Sequence, residues 1–385
     1  MKELNTYRGA NKACVSAVFT LASHQRRKTK LKEYITRRKG GLCSLWGLLK
    51  MKISVLGAGT WGTALAALLV ENGHDTVLWS AIGGEIDELS TSGIHKNLPG
   101  LALPSGLKFT KDIKEACCER EMIIYVVPSE FIRSTARASV PYVEENTILV
   151  SAAKGIEHNT LMTMTDIIED ELKAIGTSIN YKIAALSGPT HAEEVAKGLP
   201  TSIVAASADE ETSMKIARAF ASSCMRVYTN SDILGVELAG ALKNIVAIAA
   251  GISRGMGFGD NAKAMLITRG GVEIARMGKA LGCRRSTFAG LAGIGDLIVT
   301  CTSPHSRNNR CGELIGRGKT YDEALSEIGM VIEGYHALEA AKRLSQTYGV
   351  EMPITEAVYD IIKNGKKPEA AMRELMLRDL KCEIE

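Results

Sequence analysis

The stretch KISVLGAGTWGTALAALLVENGH, residues 52–74, constrains this chain more than any other. A short hydrophobic run meets Gly57, Gly59 and Gly62, spaced G-x-G-x-x-G, and an Ala- and Leu-rich segment follows until Asn72-Gly73 stops it. This reads as strand, glycine turn and helix. The first glycine permits a tight turn, the second lets the backbone approach a pyrophosphate, the third lets helix and strand pack, and the helix N-terminus faces the anion. A glycine turn without a ligand is the plainer alternative; the flanking strand and helix favour the dinucleotide reading.

An acidic residue about 20 positions on would hold the ribose hydroxyls of NAD, and an arginine there would suit NADP. The sequence offers Trp79, Ser80 and Ala81, so neither cofactor is selected. Further strand-like runs, DTVLWS, MIIYVVP, TILVSAAKG, YKIAALSGP, TSIVAAS and MRVYTN, alternate with helical stretches such as 129–139 and 159–174. Alternation of this kind predicts a mostly parallel sheet covered on both faces. After Asp232 strand runs give way to long helical patterns. The expected organisation is therefore a dinucleotide-binding α/β domain over 51–235 and a helical domain over 236–385.

At 385 residues and 45% hydrophobic, the chain can bury two cores. Its formal charge of +4 is unevenly placed: residues 1–50 carry a net +10, and residues 51–385 a net −6. The body therefore gives no reason to expect nucleic acid binding. The basic leader holds one short apolar run, ACVSAVFTLA, too brief to span a bilayer. It reads as an organellar transit peptide or as an upstream extension without a stable fold, and the second is preferred. Residues 51–385 are expected to form the complete fold. Nine cysteines without C-x-x-C spacing suit a reducing, cytoplasmic setting, and the scattered histidines suggest no metal site.

Four segments carry the chemistry. VSAAKGIE places Lys154 just past a strand end, where open α/β sheets meet ligands, although an exposed loop lysine is the commoner case. LSGPTHAEEV follows, with Thr190 and Glu193 matching a T-x-x-E capping box. In the almost wholly apolar ELAGALKNIVAIAAG, Lys243 would share a helical face with Ala239, Gly240 and Ala247, so another surface can come close. Burial there would bring its pKa toward the range useful for proton transfer; the alternative is a lysine that snorkels at a helix edge. In GLAGIGDLIVTCTSPHSRNNRCGELIGRG, Asp296 and Thr300 lie four apart on one helical face. Ser306, Arg307 and Asn308 then open another helix, an arrangement suited to phosphate through charge, a forked donor and free amides.

These segments, with VIEGYHA, occur in the order and character of the NAD(P)-dependent glycerol-3-phosphate dehydrogenases of the bacterial type, which residues 51–380 resemble. The resemblance implies a Rossmann-type domain followed by an all-α C-terminal domain, as in 6-phosphogluconate dehydrogenase. It also implies reversible reduction of dihydroxyacetone phosphate to sn-glycerol 3-phosphate for glycerophospholipid synthesis, with NAD or NADP. By motif, Lys243 and Asp296 take the catalytic positions. Lys154, Gly188, Thr190, Asn244, Thr300, Ser306, Arg307 and Asn308, with that pair, take substrate positions. Gly57, Gly59, Thr60, Trp61, Gly62, Lys154, Ala192, Arg307, Val331 and Glu333 take cofactor positions, and a homodimer is open. The family often carries an arginine where Ala81 stands, so a preference for NADP does not transfer. Two rivals remain: a β-hydroxyacid or ketopantoate-type reductase, which would not require the HSRNN island, and a non-catalytic cofactor sensor, which could dispense with Lys243 and Asp296.

Overall fold

The computed structural model describes residues 50–176, 178–380, 382 and 383; the expectations for the basic leader lie outside the described residues. The strands are β1 (Lys52–Leu56), β2 (Asp75–Trp79), β3 (Lys108–Thr110), β4 (Met122–Tyr125), β5 (Ile148–Ser151), β6 (Lys182–Ser187), β7 (Thr201–Ala206) and β8 (Met225–Asn230). They form one sheet in the order β3-β2-β1-β4-β5-β6-β7-β8. Every neighbouring pair is parallel except β6 and β7. The first six follow the doubly wound dinucleotide-binding order, whose switch point lies between β1 and β4.

Strand periodicity explains why both faces are covered. Met122 and Ile124 point to one core with Ile53, Val55 and the first helix (Thr60–Glu71), while Ile123 and Tyr125 point to the other, with Ile132, Ala136 and Ile168. Alternate residues of one strand thus feed two cores. The short edge strand β3 leaves no mark in the sequence, because three residues are too few to show an alternating pattern. The helix expected over 159–174 begins later, at Met164, because Thr163 and Asp166 close a capping box there.

Beyond β8 the described chain is helical. The core helix (Ile233–Gly255) is long and apolar enough to cross a bilayer, yet 89% of its apolar window is buried inside the molecule. Around it stand the helices Asp260–Ala280, Arg307–Gly316, Glu333–Tyr348 and Pro353–Lys363. Glu237 also ties it to the sheet domain, accepting from the amide (2.9 Å) and hydroxyl of Thr165 in the first turn of helix Met164–Ala174. Burial pushes this carboxyl up to about 7, against the pull of the Thr165 hydrogen bonds.

The core helix packs against helix Arg307–Gly316 through glycines. A methyl group on Gly251 or Gly255 would collide with the carbonyl oxygens of Asn309 and Glu313, and one on Gly312 or Gly316 with those of Ile248 and Ile252. Main chain therefore rests on main chain. Gly312→Ala should cost about 1–3 kcal/mol or more, since neither backbone can yield as a flexible side chain would. Urea unfolding would measure this, and an unchanged midpoint would show that the helices separate freely.

Candidate functional site

The glycine turn opens the site at the carboxyl ends of β1 and β4. Gly57 has φ +124°, and a side chain there would press on the Val126–Val127 peptide at 2.9 Å. Gly62 is closed against the Gly57 carbonyl. At Gly59, by contrast, a methyl would meet no protein atom within 4 Å, so the backbone is bare on the crevice side. The helix that starts at Thr60 has no side-chain cap and no acidic residue in its first turn. A cradle of uncapped amides with an open glycine fits a pyrophosphate. Thr60 and Trp61 form its first turn.

Beside the crevice, three elements converge on one carboxylate. Lys154 follows β5, Lys243 sits mid-way along the core helix, and Asp296 begins the helix Asp296–Thr302. Asp296 Oδ1 lies 2.8 Å from Lys243 Nζ, and Oδ2 lies 2.6 Å from Lys154 Nζ. Lys154 also donates to the Gly188 carbonyl at 3.2 Å, and Lys243 donates to Thr300 Oγ1. The Thr300 hydroxyl donates to the Asp296 carbonyl at 2.6 Å, the back-bond that the four-residue spacing permits. Lys243 is 5% exposed and Asp296 2%. Close approach depends on Gly240, where a methyl would stand 3.0 Å from Ser187 Oγ and 3.5 Å from Lys154 Cγ.

Burial is the largest influence on Lys243 and lowers its pKa to about 8; Asp296 resists the shift and Lys154 adds to it. For Asp296 burial works upward, but the two ammonium groups overcome it and hold the carboxyl below its ordinary value. Two cations sharing one anion leave a net positive charge in a dry place, which favours an anionic ligand.

The segment around Ser306 forms one end of this region. Ser306 caps the helix Arg307–Gly316 by accepting the Asn309 amide at 3.2 Å, and Arg307 is exposed on its first turn. Asn308 donates to Asn244 Oδ1 at 3.0 Å and accepts the Gly334 amide at 2.9 Å, linking three helices. Val331 lies just before helix Glu333–Tyr348. The Glu333 carboxylate accepts from the amide and hydroxyl of Ser129, which opens the short 3-10 helix Ser129–Phe131 after β4.

The sequence misleads at one place and is silent at others. The capping box of Thr190 and Glu193 does not form: the Thr190 hydroxyl turns back to donate to the Gly188 carbonyl at 3.2 Å, and the short helix Ala192–Ala196 starts after an uncapped His191. Sequence reasoning misses Ser129, since only its meeting with Glu333, 204 residues away, marks it. It misses Ser187 Oγ and His191 Nε2 as well; both are buried without a hydrogen-bond partner. Each of these two lies beside the Gly188–Thr190 turn but carries no pattern of its own.

The family model described as NAD-dependent glycerol-3-phosphate dehydrogenase N-terminus matches residues 52–213, and the corresponding C-terminus model matches 232–373. A glycerol-3-phosphate dehydrogenase [NAD(P)+] of Lactobacillus delbrueckii subsp. bulgaricus is 51% identical over 333 residues, 86% of this chain and 99% of that protein. The Bacillus subtilis enzyme of that name is 45% identical, covering 87% and 96%. The crystal structure of glycerol-3-phosphate dehydrogenase from Coxiella burnetii is 37% identical with a TM-score of 0.81, covering 86% of this chain and 99% of that one. Two family models in sequence order and near-complete alignment with such relatives lead to one assignment: the chain belongs to the NAD-dependent glycerol-3-phosphate dehydrogenase family.

Proposed function

We propose that the protein interconverts dihydroxyacetone phosphate and sn-glycerol 3-phosphate, supplying the latter to glycerophospholipid synthesis, with residues 51–235 as the dinucleotide domain and 236–385 as the substrate domain. The observation that carries this reading is the buried Lys243 ammonium held by Asp296 beside an open glycine cradle. The seven described cysteines are unpaired, in keeping with a cytoplasmic setting.

Gly57, Gly59 and Gly62, with the amides at Thr60 and Trp61, hold the pyrophosphate, and Ala192, Val331 and Glu333 border the remainder of the dinucleotide. When bound, the reduced nicotinamide supplies hydride to the carbonyl carbon. Lys243 polarises that carbonyl and gives the alkoxide its proton; Asp296 and Thr300 aim the ammonium. Lys154, Gly188, Thr190, Asn244 and Asn308 surround the three-carbon chain. Arg307 and the capped helix start at Ser306 take the phosphate through charge-assisted hydrogen bonds.

The reading is tested by following NADH and NADPH absorbance with dihydroxyacetone phosphate and the purified protein. Lys243→Met keeps the apolar stem and removes the proton donor. It should leave thermal unfolding and NADH binding near the parent values while kcat falls about 10²–10⁴-fold; a folded variant with near-parent kcat would make Lys243 a structural residue only.

The pH profile follows from the lowered pKa. Reduction needs the protonated amine, so its rate should fall as pH rises through about 8, while the reverse oxidation should gain over the same interval. Asp296 holds the Lys243 pKa up, so Asp296→Asn should move the limb toward acid. A limb that stays in place would separate the lysine from the proton transfer.

Arg307→Ala should raise KM for dihydroxyacetone phosphate at least about tenfold, the loss expected for a hydrogen bond to a charged group, with little effect on folding. Equal turnover of dihydroxyacetone and its phosphate by the parent enzyme would remove the phosphate site.

A further inference from the structure

The strand end that ought to select between NAD and NADP carries no charged residue, yet the structure brings a carboxylate to it from elsewhere. Leu56 pairs with Trp79, and the Gly57 amide donates to the Trp79 carbonyl at 2.8 Å, so the peptide joining Trp79 to Ser80 abuts the glycine turn. Ser80 is 5% exposed, and its hydroxyl donates to Glu85 Oε2 at 2.7 Å while accepting the Ile82 amide at 3.1 Å. Glu85 stands in the first turn of helix Gly83–Ser92, where the helix dipole favours a negative charge. Its other oxygen, Oε1, accepts no hydrogen bond from the described residues. Gly83 and Gly84 precede it without side chains.

The surrounding charge points the same way. Residues 80–95 hold Glu85, Asp87 and Glu88 and neither lysine nor arginine. Lys111, which runs along Gly83, is 2.6 Å from Asp87 Oδ1. A ribose diol needs an acceptor for its hydroxyl protons, which Glu85 offers. A 2′-phosphate would bring two further negative charges against a carboxylate and find no unpaired cation in this segment.

We propose that Glu85, presented by Ser80, replaces the missing acidic residue at the end of β2 and makes this protein selective for NAD(H) over NADP(H). The proposal rests on the reading of the glycine crevice as the dinucleotide site. Ser80 is a positioning residue: it fixes the Glu85 carboxylate over the crevice, and Glu85 touches the ribose.

The test is binding of each dinucleotide, measured without substrate. The full chain is titrated with NADH and with NADPH, following quenching of tryptophan fluorescence or the heat of binding. The parent should bind NADH at least about tenfold more tightly, the scale of one hydrogen bond to a charged group. Glu85→Gln keeps the shape but loses the charge: NADH binding should weaken several-fold, NADPH binding should tighten, and the preference should shrink to within about threefold. Ser80→Ala releases the carboxylate without neutralising it, so NADH should weaken while NADPH stays disfavoured. The ratio of kcat/KM with the two reduced cofactors should follow the binding ratio.

A parent that binds NADPH as tightly as NADH overturns the proposal, as does an unchanged ratio in a folded Glu85→Gln. Either result leaves the crevice reading standing, whereas failure of the parent to bind either dinucleotide overturns both. Should Glu85→Gln fail to fold, Glu85→Asp, shorter by one methylene, takes its place: several-fold loss of NADH affinity supports the proposal and unchanged affinity overturns it.

Discussion

One carboxylate joins the working parts of this molecule. Asp296 meets a lysine from the sheet domain with one oxygen and a lysine from the core helix with the other, and it is almost entirely out of water. Removing Asp296 would leave two ammonium groups facing each other without their counter-ion, which is far costlier than losing a surface pair, whereas losing one lysine leaves the carboxylate paired with the other. The arrangement therefore fixes where the carboxyl edge of the sheet and the middle of the core helix meet. It also makes the crevice between them positive and dry. The net positive charge attracts an anion, while burial, aided by Lys154, depresses the Lys243 pKa.

Around this point the molecule uses few long-range links, each of them polar and specific. Glu237 caps a helix of the sheet domain from the core helix, Glu333 holds Ser129 beside the crevice, and Asn308 spans Asn244 and Gly334. All are side chains that would be expensive to bury alone and become useful because each finds a backbone amide or a complementary side chain. The apolar clusters give the two halves their bulk; these contacts give them their register.

The sequence displays some of this openly. The glycine spacing, the alternating strands and the helical turn of texture after Asp232 are local patterns, and the mostly parallel sheet and helical second half follow from them. Lys243 stands out because an ammonium is rare in an apolar run, and Asp296 because its four-residue spacing from Thr300 defines a face. What cannot be read locally depends on distant partners. Ser129 acquires a role from Glu333, Ser80 and Glu85 gain theirs from the sheet register beside Gly57, and Thr190 abandons its capping pattern because the Gly188 carbonyl is within reach. The antiparallel β7 looks like any other buried strand, since direction leaves no mark on composition.

The seam of Gly251, Gly255, Gly312 and Gly316 sets a distance. The core helix carries Lys243, and the helix pressed against it begins with Arg307, so the offset between the reacting end and the phosphate end of the proposed substrate is fixed by the thickness of two bare backbones. Side chains in a pocket wall can be exchanged by small steps, each with a small change in fit. A backbone gauge has no such intermediate settings, because the first methyl added forces the helices apart. The spacing of Lys243 from Arg307 is in this sense held by four residues that have no side chain, and it is guarded more firmly than a distance set by flexible side chains.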